Sequence, residues 1–177
     1  HIRATPQDLD VFRALGHVSE TATMRTMARR VDGSDQALAE LKGVDGSYPL
    51  SGAATLKGGG SFADAIAGDG VVADAMLLDR LGLKLGDRLR VGEADLAVKG
   101  ILDNEPDAIV DRMTYGPRVF LSLDALEKTG LVKPGTLIRW RYAIKLPEGG
   151  AADRATLGQL RRITGEKLAL GGYTGSD

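Results

Sequence analysis

The feature that most restricts the fold of this sequence is an alternating pattern over residues 136–146. From residue 138 onward every second position is apolar, namely Ile138, Trp140, Tyr142, Ile144 and Leu146. The positions between them include Arg139, Arg141 and Lys145. Successive side chains of a strand point to opposite faces, so the pattern predicts a strand with one buried face and one solvent face. The chain must therefore build a core against one side of a sheet.

Short helices and further strands are predicted around this strand. Capping residues and apolar spacing predict helices at residues 6–16 with Thr5 as N-cap, after Ser61, and at residues 74–81, 122–129 and about 152–162. Period-two segments and turn signals predict strands at residues 18–29, 37–44, 88–91, 94–102, 118–121 and 168–170. This mixture predicts an α+β fold, with a mixed or antiparallel sheet and helices packed on one side.

Residues 81–102, LGLKLGDRLRVGEADLAVKGIL, form a well-specified unit without a candidate catalyst. Gly82 ends the preceding helix and allows Leu83 to fold back on its last turn, as in a Schellman motif. Gly92 and Glu93 fit a two-residue type II′ turn between two short strands. The unit is therefore expected to be structural, with partner contact carried by other segments.

Composition and charge exclude several classes of protein. The 23 basic and 24 acidic residues give a net charge of −1 and aromatic residues make up 5% of the chain, so nothing indicates nucleic-acid binding. The absence of cysteine excludes disulfides and thiolate metal sites. The 177 residues contain no apolar run long enough to span a membrane. Because the sequence begins with His1, it is expected to be a processed protein or a piece of a longer one.

Few residues are candidates for catalysis or ligand binding. A Ser–His–Asp site would depend on His17, which follows the helix stop at Gly16 and is predicted to be a partly exposed loop residue. The glycines at 58–60 lack the continuation of a phosphate-binding loop, so a linker entering a helix capped by Ser61 is favoured. The acidic residues between Asp103 and Asp111 offer oxygen ligands for calcium, but their spacing differs from an EF-hand loop and a solvated loop is favoured. No catalytic, cofactor-binding or metal-binding residue is therefore predicted.

Two loops carry large side chains that are candidates for partner contact. One holds Tyr48, Pro49 and Leu50, and the other holds Met113 and Tyr115. Large apolar groups in loops often anchor partners. The alternative is that these side chains plug the ends of the sheet.

Several blocks of the sequence resemble the extracytoplasmic domain of FtsX-like ABC transporter permeases, in the YbbP-like branch. They are VSETATMRTMARR, LAELKGVDGSYPLSG, LLDRLGLKLGDRLRVGEADLAVKGILDNEPD and GPRVFLSLDALEKTGLVKPGTLIRWRYAIKLP, within residues 18–147. The resemblance implies a MacB-like periplasmic core domain with a porter-like part and a smaller β-rich part. The expected bounds are about 1–60 with 105–177 for the porter-like part and about 61–104 for the smaller insert.

The resemblance also implies what such a domain works with. It would lie between flanking membrane helices of an inner-membrane permease, while a separate cytoplasmic subunit hydrolyses ATP. The outer domain would be non-enzymatic, without a cofactor, and would handle a hydrophobic substrate or a periplasmic protein or lipid partner in lipid, lipoprotein or lysophospholipase-related export. Alanine or charge replacements in the two loops are then expected to abolish function without unfolding the domain.

Two other classes of protein remain open from the residues alone. A free-standing extracytoplasmic lipid- or peptide-binding module would need an apolar cleft. A hydrolase would need His17 and neighbours that the sequence does not reveal.

Overall fold

The computed structural model describes residues 3–49, 54–104 and 116–146, and the backbone of residues 168–170 and 173–174. The helices are α1 (Pro6–Leu15), α2 (Phe62–Ala65), α3 (Ala75–Leu81) and α4 (Leu123–Lys128). The strands are β1 (His17–Arg30), β2 (Gln36–Val44), β3 (Thr55–Leu56), β4 (Gly70–Ala73), β5 (Arg88–Val91), β6 (Ala94–Asn104), β7 (Arg118–Ser122), β8 (Arg139–Lys145), β9 (Leu168–Leu170) and β10 (Tyr173–Thr174). A mixed sheet with short helices confirms the predicted α+β class. None of the described helices is long and apolar enough to cross a membrane.

Six strands pair in a closed ring. β1 pairs with β2, β2 with β7, β7 with β4, β4 with β6, β6 with β5, and β5 returns to β1. The β2–β7 and β4–β6 pairs are parallel and the other four are antiparallel. Closure depends on the length of β1, which pairs with β8 at residues 17–23 and with β5 at residues 28–30. The strands β3, β8, β9 and β10 extend the sheet outside the ring.

The unit at residues 81–102 closes this ring. Gly82 has a φ of 66°, and the Leu83 N–H donates to the Leu78 carbonyl at 2.8 Å, as the predicted Schellman motif requires. Gly92 in the β5–β6 turn has a φ of 57°, and a Cβ there would lie 2.3 Å from the Thr129 carbonyl oxygen. Glycine is therefore required where this hairpin rests on the end of α4 and returns β5 to β1.

Two clusters of buried apolar side chains lie on opposite faces of the strands. The larger cluster joins α1, α3 and α4 to one face of the ring strands and to the apolar face of β8. Ile138, Trp140, Tyr142 and Ile144 are all buried in it, which confirms the alternation that the sequence shows. The smaller cluster includes Phe62 of α2 and covers the other face of β4 and β7. Alternate residues of β2, β4 and β7 thus reach two different cores.

Some predicted elements differ from the structure. β3 lies in a segment that the sequence predicts to be a loop. A strand of two residues has no detectable period, so the sequence pattern does not reveal it. His17 is the first residue of β1 and not a loop residue, because the strand continues as far as its pairing with Lys145 of β8. The helix predicted at residues 152–162 lies outside the described residues. β5 and β4 of the expected insert, residues 61–104, pair with β1 and β7 of the expected porter-like part. The division into two parts stays a prediction.

Candidate functional site: the N-terminal anchor and the charged–aromatic cluster

The side chain of Arg3 holds the N-terminal segment against the sheet. Its guanidinium donates two hydrogen bonds to the Glu20 carboxylate, from Nη2 to Oε1 at 2.9 Å and from Nε to Oε2 at 3.2 Å. The same group lies 4.5 Å from the centre of the Trp140 ring and 3.6 Å from Glu127 Oε1. A two-bond fork stacked on an aromatic face is a strong arrangement for arginine. The segment before α1 is thereby tied to β1, β8 and α4.

Tyr142 completes this attachment from the interior. Its hydroxyl donates to Glu20 Oε2 at 2.8 Å and accepts a hydrogen bond from the Ala4 N–H at 2.7 Å. The Glu20 side chain is 10% exposed, so its charge depends on Arg3 and Tyr142 more than on water. We call Arg3, Ala4, Glu20, Trp140 and Tyr142 the N-terminal anchor.

The environment of Tyr142 changes its acidity. Burial raises the pKa of its hydroxyl, and the Glu20 carboxylate raises that pKa further, while the Ala4 N–H opposes both. The folded protein therefore holds this proton more tightly than the unfolded chain, in which the tyrosine pKa is about 10. The stabilisation is complete below about pH 10 and is lost as the pH rises above that value.

Replacement of Tyr142 by phenylalanine is expected to remove this alkaline loss of stability. The variant should also be less stable at neutral pH by about 1–3 kcal/mol, because the Ala4 N–H and Glu20 lose a buried partner. Urea unfolding of both proteins at about pH 8 and about pH 11 measures the difference, and the titration of groups common to both proteins cancels. An alkaline loss of the same size in both proteins would contradict the assignment to Tyr142.

A row of charged residues crosses the opposite face of the sheet at the middle of β2. The register places Arg25 of β1, Glu40 of β2 and Arg118 of β7 side by side. Arg118 Nη1 lies 3.2 Å from Glu40 Oε1, with the two side chains 4% and 9% exposed. Lys42, two residues further along β2, is also buried. Charged side chains are rarely this buried unless they are paired, so this part of β2 is not an ordinary solvent face.

Aromatic rings lie beside these charges. The ring centre of Phe120 lies 5.2 Å from that of Phe62 and 5.9 Å from that of Tyr48. The ring centres of Tyr48 and Phe62 are 6.0 Å apart. Lys42 Nζ lies 4.8 Å from the centre of the Tyr48 ring and 5.6 Å from that of Phe120. The ammonium group is therefore stabilised by two aromatic rings. The charged–aromatic cluster is the set Glu40, Lys42, Tyr48, Phe62, Arg118 and Phe120.

The predicted partner-contact residues fall partly in this cluster. Tyr48 is half-buried within it, and Pro49 next to it is partly exposed. Outside the described residues lie Leu50, Met113 and Tyr115. Just before β7, the Pro117 carbonyl accepts a hydrogen bond from the Glu40 N–H at 2.9 Å. Tyr48 packs against Lys42 and Phe120 further along β2 and β7, and the contact of the five residues with a partner stays a prediction.

His17 is not part of a catalytic triad in the part of the chain that the structure describes. It borders an open cleft together with Ser47. The nearby Asp45 carboxylate accepts hydrogen bonds from the Ser19 hydroxyl and from the N–H groups of Glu20 and Ser47. Asp45 thus fixes the start of the loop that carries Tyr48, and it does not orient His17.

The other motifs of the sequence have structural roles where they are described. The Ser61 hydroxyl accepts a hydrogen bond from the Asp64 N–H at 3.2 Å and caps α2, as predicted. The glycines at 58–60 have φ values of 80°, 84° and 101° and form the turn before this cap. Most of the acidic segment at 103–111 lies outside the described residues. In ranges 3–49, 54–104 and 116–146, no three His, Cys, Asp or Glu residues are placed to hold a metal.

Comparisons with known proteins agree with this fold. The model of the MacB-like periplasmic core domain family matches residues 2–160. The uncharacterized ABC transporter permease YbbP of Escherichia coli (strain K12) is 34% identical over 125 residues. Those residues are 71% of this chain and 15% of that protein, so the chain spans a small part of its relative.

Two solved structures share the fold at low identity. The extracellular domain of the noncanonic ABC-type transporter YknZ from Gram-positive bacteria has a TM-score of 0.60 and 15% identity, over 92% of this chain and 85% of that one. The periplasmic region of MacB from Actinobacillus actinomycetemcomitans has a TM-score of 0.61 and 13% identity, over 94% of this chain and 77% of that one.

The fold and the family match define an extracytoplasmic domain of an ABC transporter permease. The chain belongs to the MacB-like periplasmic core domain family, and among FtsX-like permeases it is similar to YbbP. The resemblance found in the sequence blocks is thereby confirmed.

Proposed function

We propose that this domain transmits ATP-driven motion of the membrane part of an inner-membrane permease to a hydrophobic substrate or a protein partner outside that membrane. The N-terminal anchor is the observation that carries the proposal, because Arg3 and Tyr142 fix the start of the chain to the sheet through Glu20. A membrane helix that precedes this segment would then move the domain through short, charge-assisted contacts.

The closed ring of strands supports the same role. Each of its six strands is hydrogen-bonded on both sides, so displacement of β1 is passed to β2 and β5 and through them to the rest of the ring. A sheet without free edges inside the ring resists separation of its strands. The domain itself is proposed to be non-enzymatic, with ATP hydrolysed by a separate cytoplasmic subunit.

The charged–aromatic cluster and the loops beside it are the proposed site of partner contact. The residues proposed are Tyr48, Pro49, Leu50, Met113 and Tyr115, because they are large side chains of predicted loops and Tyr48 packs against Lys42 of the cluster. A context of lipid, lipoprotein or lysophospholipase-related export is part of this proposal, as the resemblance of the sequence blocks implies. Two clefts of the described structure are open to solvent, which favours surface contact over the enclosed apolar cavity of a lipid-binding module.

Weakening the N-terminal anchor is expected to uncouple the domain from the membrane part. The chain has no cysteine, so Ser34→Cys in the exposed β1–β2 turn can carry a spin label, with a second label in the membrane segment that follows the domain. In the full permease with its ATPase, we expect ATP to change the distance between the labels. Arg3→Gln and Glu20→Gln should each broaden the distance distribution and reduce the change, because the two-bond fork is lost.

Arg88→Gln is the matched control for this experiment. Arg88 is an exposed arginine of β5 that lies 3.6 Å from the Asp69 carboxylate and donates to the Asp95 carbonyl at 3.5 Å, outside the anchor. Its replacement should leave the ATP-dependent change intact. An unchanged response in the Arg3 and Glu20 variants would refute the role of the anchor, and the absence of any ATP-dependent change in the unaltered protein would refute the proposed function.

A further inference from the structure

A cleft at one end of the sheet brings together two cationic side chains and a histidine from three elements. Arg13 lies in the last turn of α1, His17 begins β1 and Lys145 ends β8. The cleft has a volume of about 530 Å³ and is open to solvent, with Gly16, Val18 and Ser47 in the rest of its lining. Neither the N-terminal anchor nor the charged–aromatic cluster includes these residues.

The fold fixes the positions of these groups. His17 and Lys145 are register partners in β1 and β8, so their side chains leave the same face of the sheet as neighbours. A Cβ at Gly16 would lie 2.1 Å from the Lys145 carbonyl oxygen, so the α1–β1 connection runs directly against the end of β8. The Ser47 N–H donates to Asp45 at 3.0 Å, which holds the serine at the edge of the cleft. The cationic groups are therefore placed by backbone packing.

The charge of the cleft is opposite in sign to the net charge of the chain. The whole chain carries −1, whereas the lining has Arg13, Lys145 and His17 and no carboxylate. Asp10 lies 4.0 Å from Arg13, and Asp45 already accepts three hydrogen bonds. Both of these carboxylates and the negative end of the α1 dipole, about half a charge, oppose an anion here. The lining itself presents Arg13 and Lys145 and no carboxylate, so cationic donors are the charged groups that an anion inside the cleft would contact.

We infer that this cleft binds an anion of the phosphate type, supplied as free phosphate or as the headgroup of an anionic phospholipid. Cationic N–H donors and the Ser47 hydroxyl match the several acceptor oxygens of a phosphate, and arginine provides the fork geometry that phosphate favours. The open shape of the cleft admits the headgroup of a phospholipid, while the acyl chains of that lipid stay outside the cleft. This inference goes beyond the proposed coupling role and does not depend on it, because the two use different residues.

Titration of the isotope-labelled 177-residue chain with inorganic phosphate tests the site. At constant ionic strength, we expect saturable NMR shifts confined to the amides around Arg13, His17, Ser47 and Lys145, with a dissociation constant of roughly 1 mM, as for a weak site. Arg13→Gln and Lys145→Gln should each raise that constant about 2- to 5-fold, the effect of removing one exposed ionic partner. Lys133→Gln, at an exposed lysine in the turn before β8, is the matched control and should leave it unchanged.

Vesicles distinguish the two sources of phosphate. Binding to phosphatidylglycerol vesicles that is weakened by Lys145→Gln and competed by phosphate would assign the headgroup. Phosphate binding without vesicle binding would assign free phosphate. Three results would overturn the inference: no localised shifts up to about 10 mM phosphate, the same shifts with chloride, or equal effects of Lys145→Gln and Lys133→Gln. None of these results bears on the spin-label distances that test the coupling role.

Discussion

Replacement of Glu40 by leucine is expected to destabilise the domain by about 3–5 kcal/mol, because it leaves the Arg118 guanidinium buried without this carboxylate. The two side chains are 9% and 4% exposed, so water has little access to the charge that remains. Chemical denaturation of the 177-residue chain measures the free energy of unfolding directly. A surface ion pair would contribute far less, about 0–1 kcal/mol.

A double variant provides the matched control for Glu40. Glu40→Leu combined with Arg118→Met removes both charges and keeps the volume near its original value. We expect most of the lost stability to return, since an apolar pair can replace a buried ion pair at little cost. If Glu40→Leu alone lowers the free energy of unfolding by less than about 1 kcal/mol, the pair is solvated and the charged–aromatic cluster is not a buried site.

Local sequence patterns predicted many of the individual elements. Thr5 and Asp8 form the capping box of α1 through two hydrogen bonds, and Pro6 is the first helical residue. The alternation in β8 predicted its buried face because the period of a strand is independent of the strands it pairs with. These features depend on residues close together in the chain, which is why one sequence is enough to find them.

The closed ring of strands could not be predicted in the same way. It requires β4 to lie between β6 and β7, and β5 to return to β1, across long stretches of sequence. Hydrophobic periodicity indicates that a strand has a buried face but does not identify its partners. β3 is missed for a simpler reason, since two residues cannot establish a period.

The sequence revealed one part of the candidate site and not the rest. Tyr48 is a candidate because it is an aromatic residue in a predicted loop, whereas its contact with Lys42 depends on the fold. The alternation of β2 would leave Lys42 in solvent, and the residue is buried because a second cluster covers that face. A clue to the anchor was present, because Glu20 and Tyr142 both occupy inward positions of predicted strands. Two inward polar residues on strands that pair are good candidates for a buried hydrogen bond.

Phe120 is the other position at which a large effect is expected. Its side chain is fully buried, and its ring lies 5.2 Å from that of Phe62 and 5.9 Å from that of Tyr48, centre to centre. Phe120→Ala is expected to reduce the free energy of unfolding by about 3–5 kcal/mol, through lost burial and the cavity left behind. Phe120→Leu keeps most of the volume and should cost less than about 1.5 kcal/mol.

The same pair of Phe120 variants tests whether the partner-contact loop is held by the core. Tyr48 and Lys42 both pack against the Phe120 ring, so its removal should free the Tyr48 ring, while leucine should retain it. Urea unfolding gives the two stabilities, and aromatic NMR shifts of Tyr48 report its environment in each folded variant. Equal stabilities together with an unchanged Tyr48 environment would show that the cluster does not position this loop, and the case for partner contact at Tyr48 would lose its structural basis.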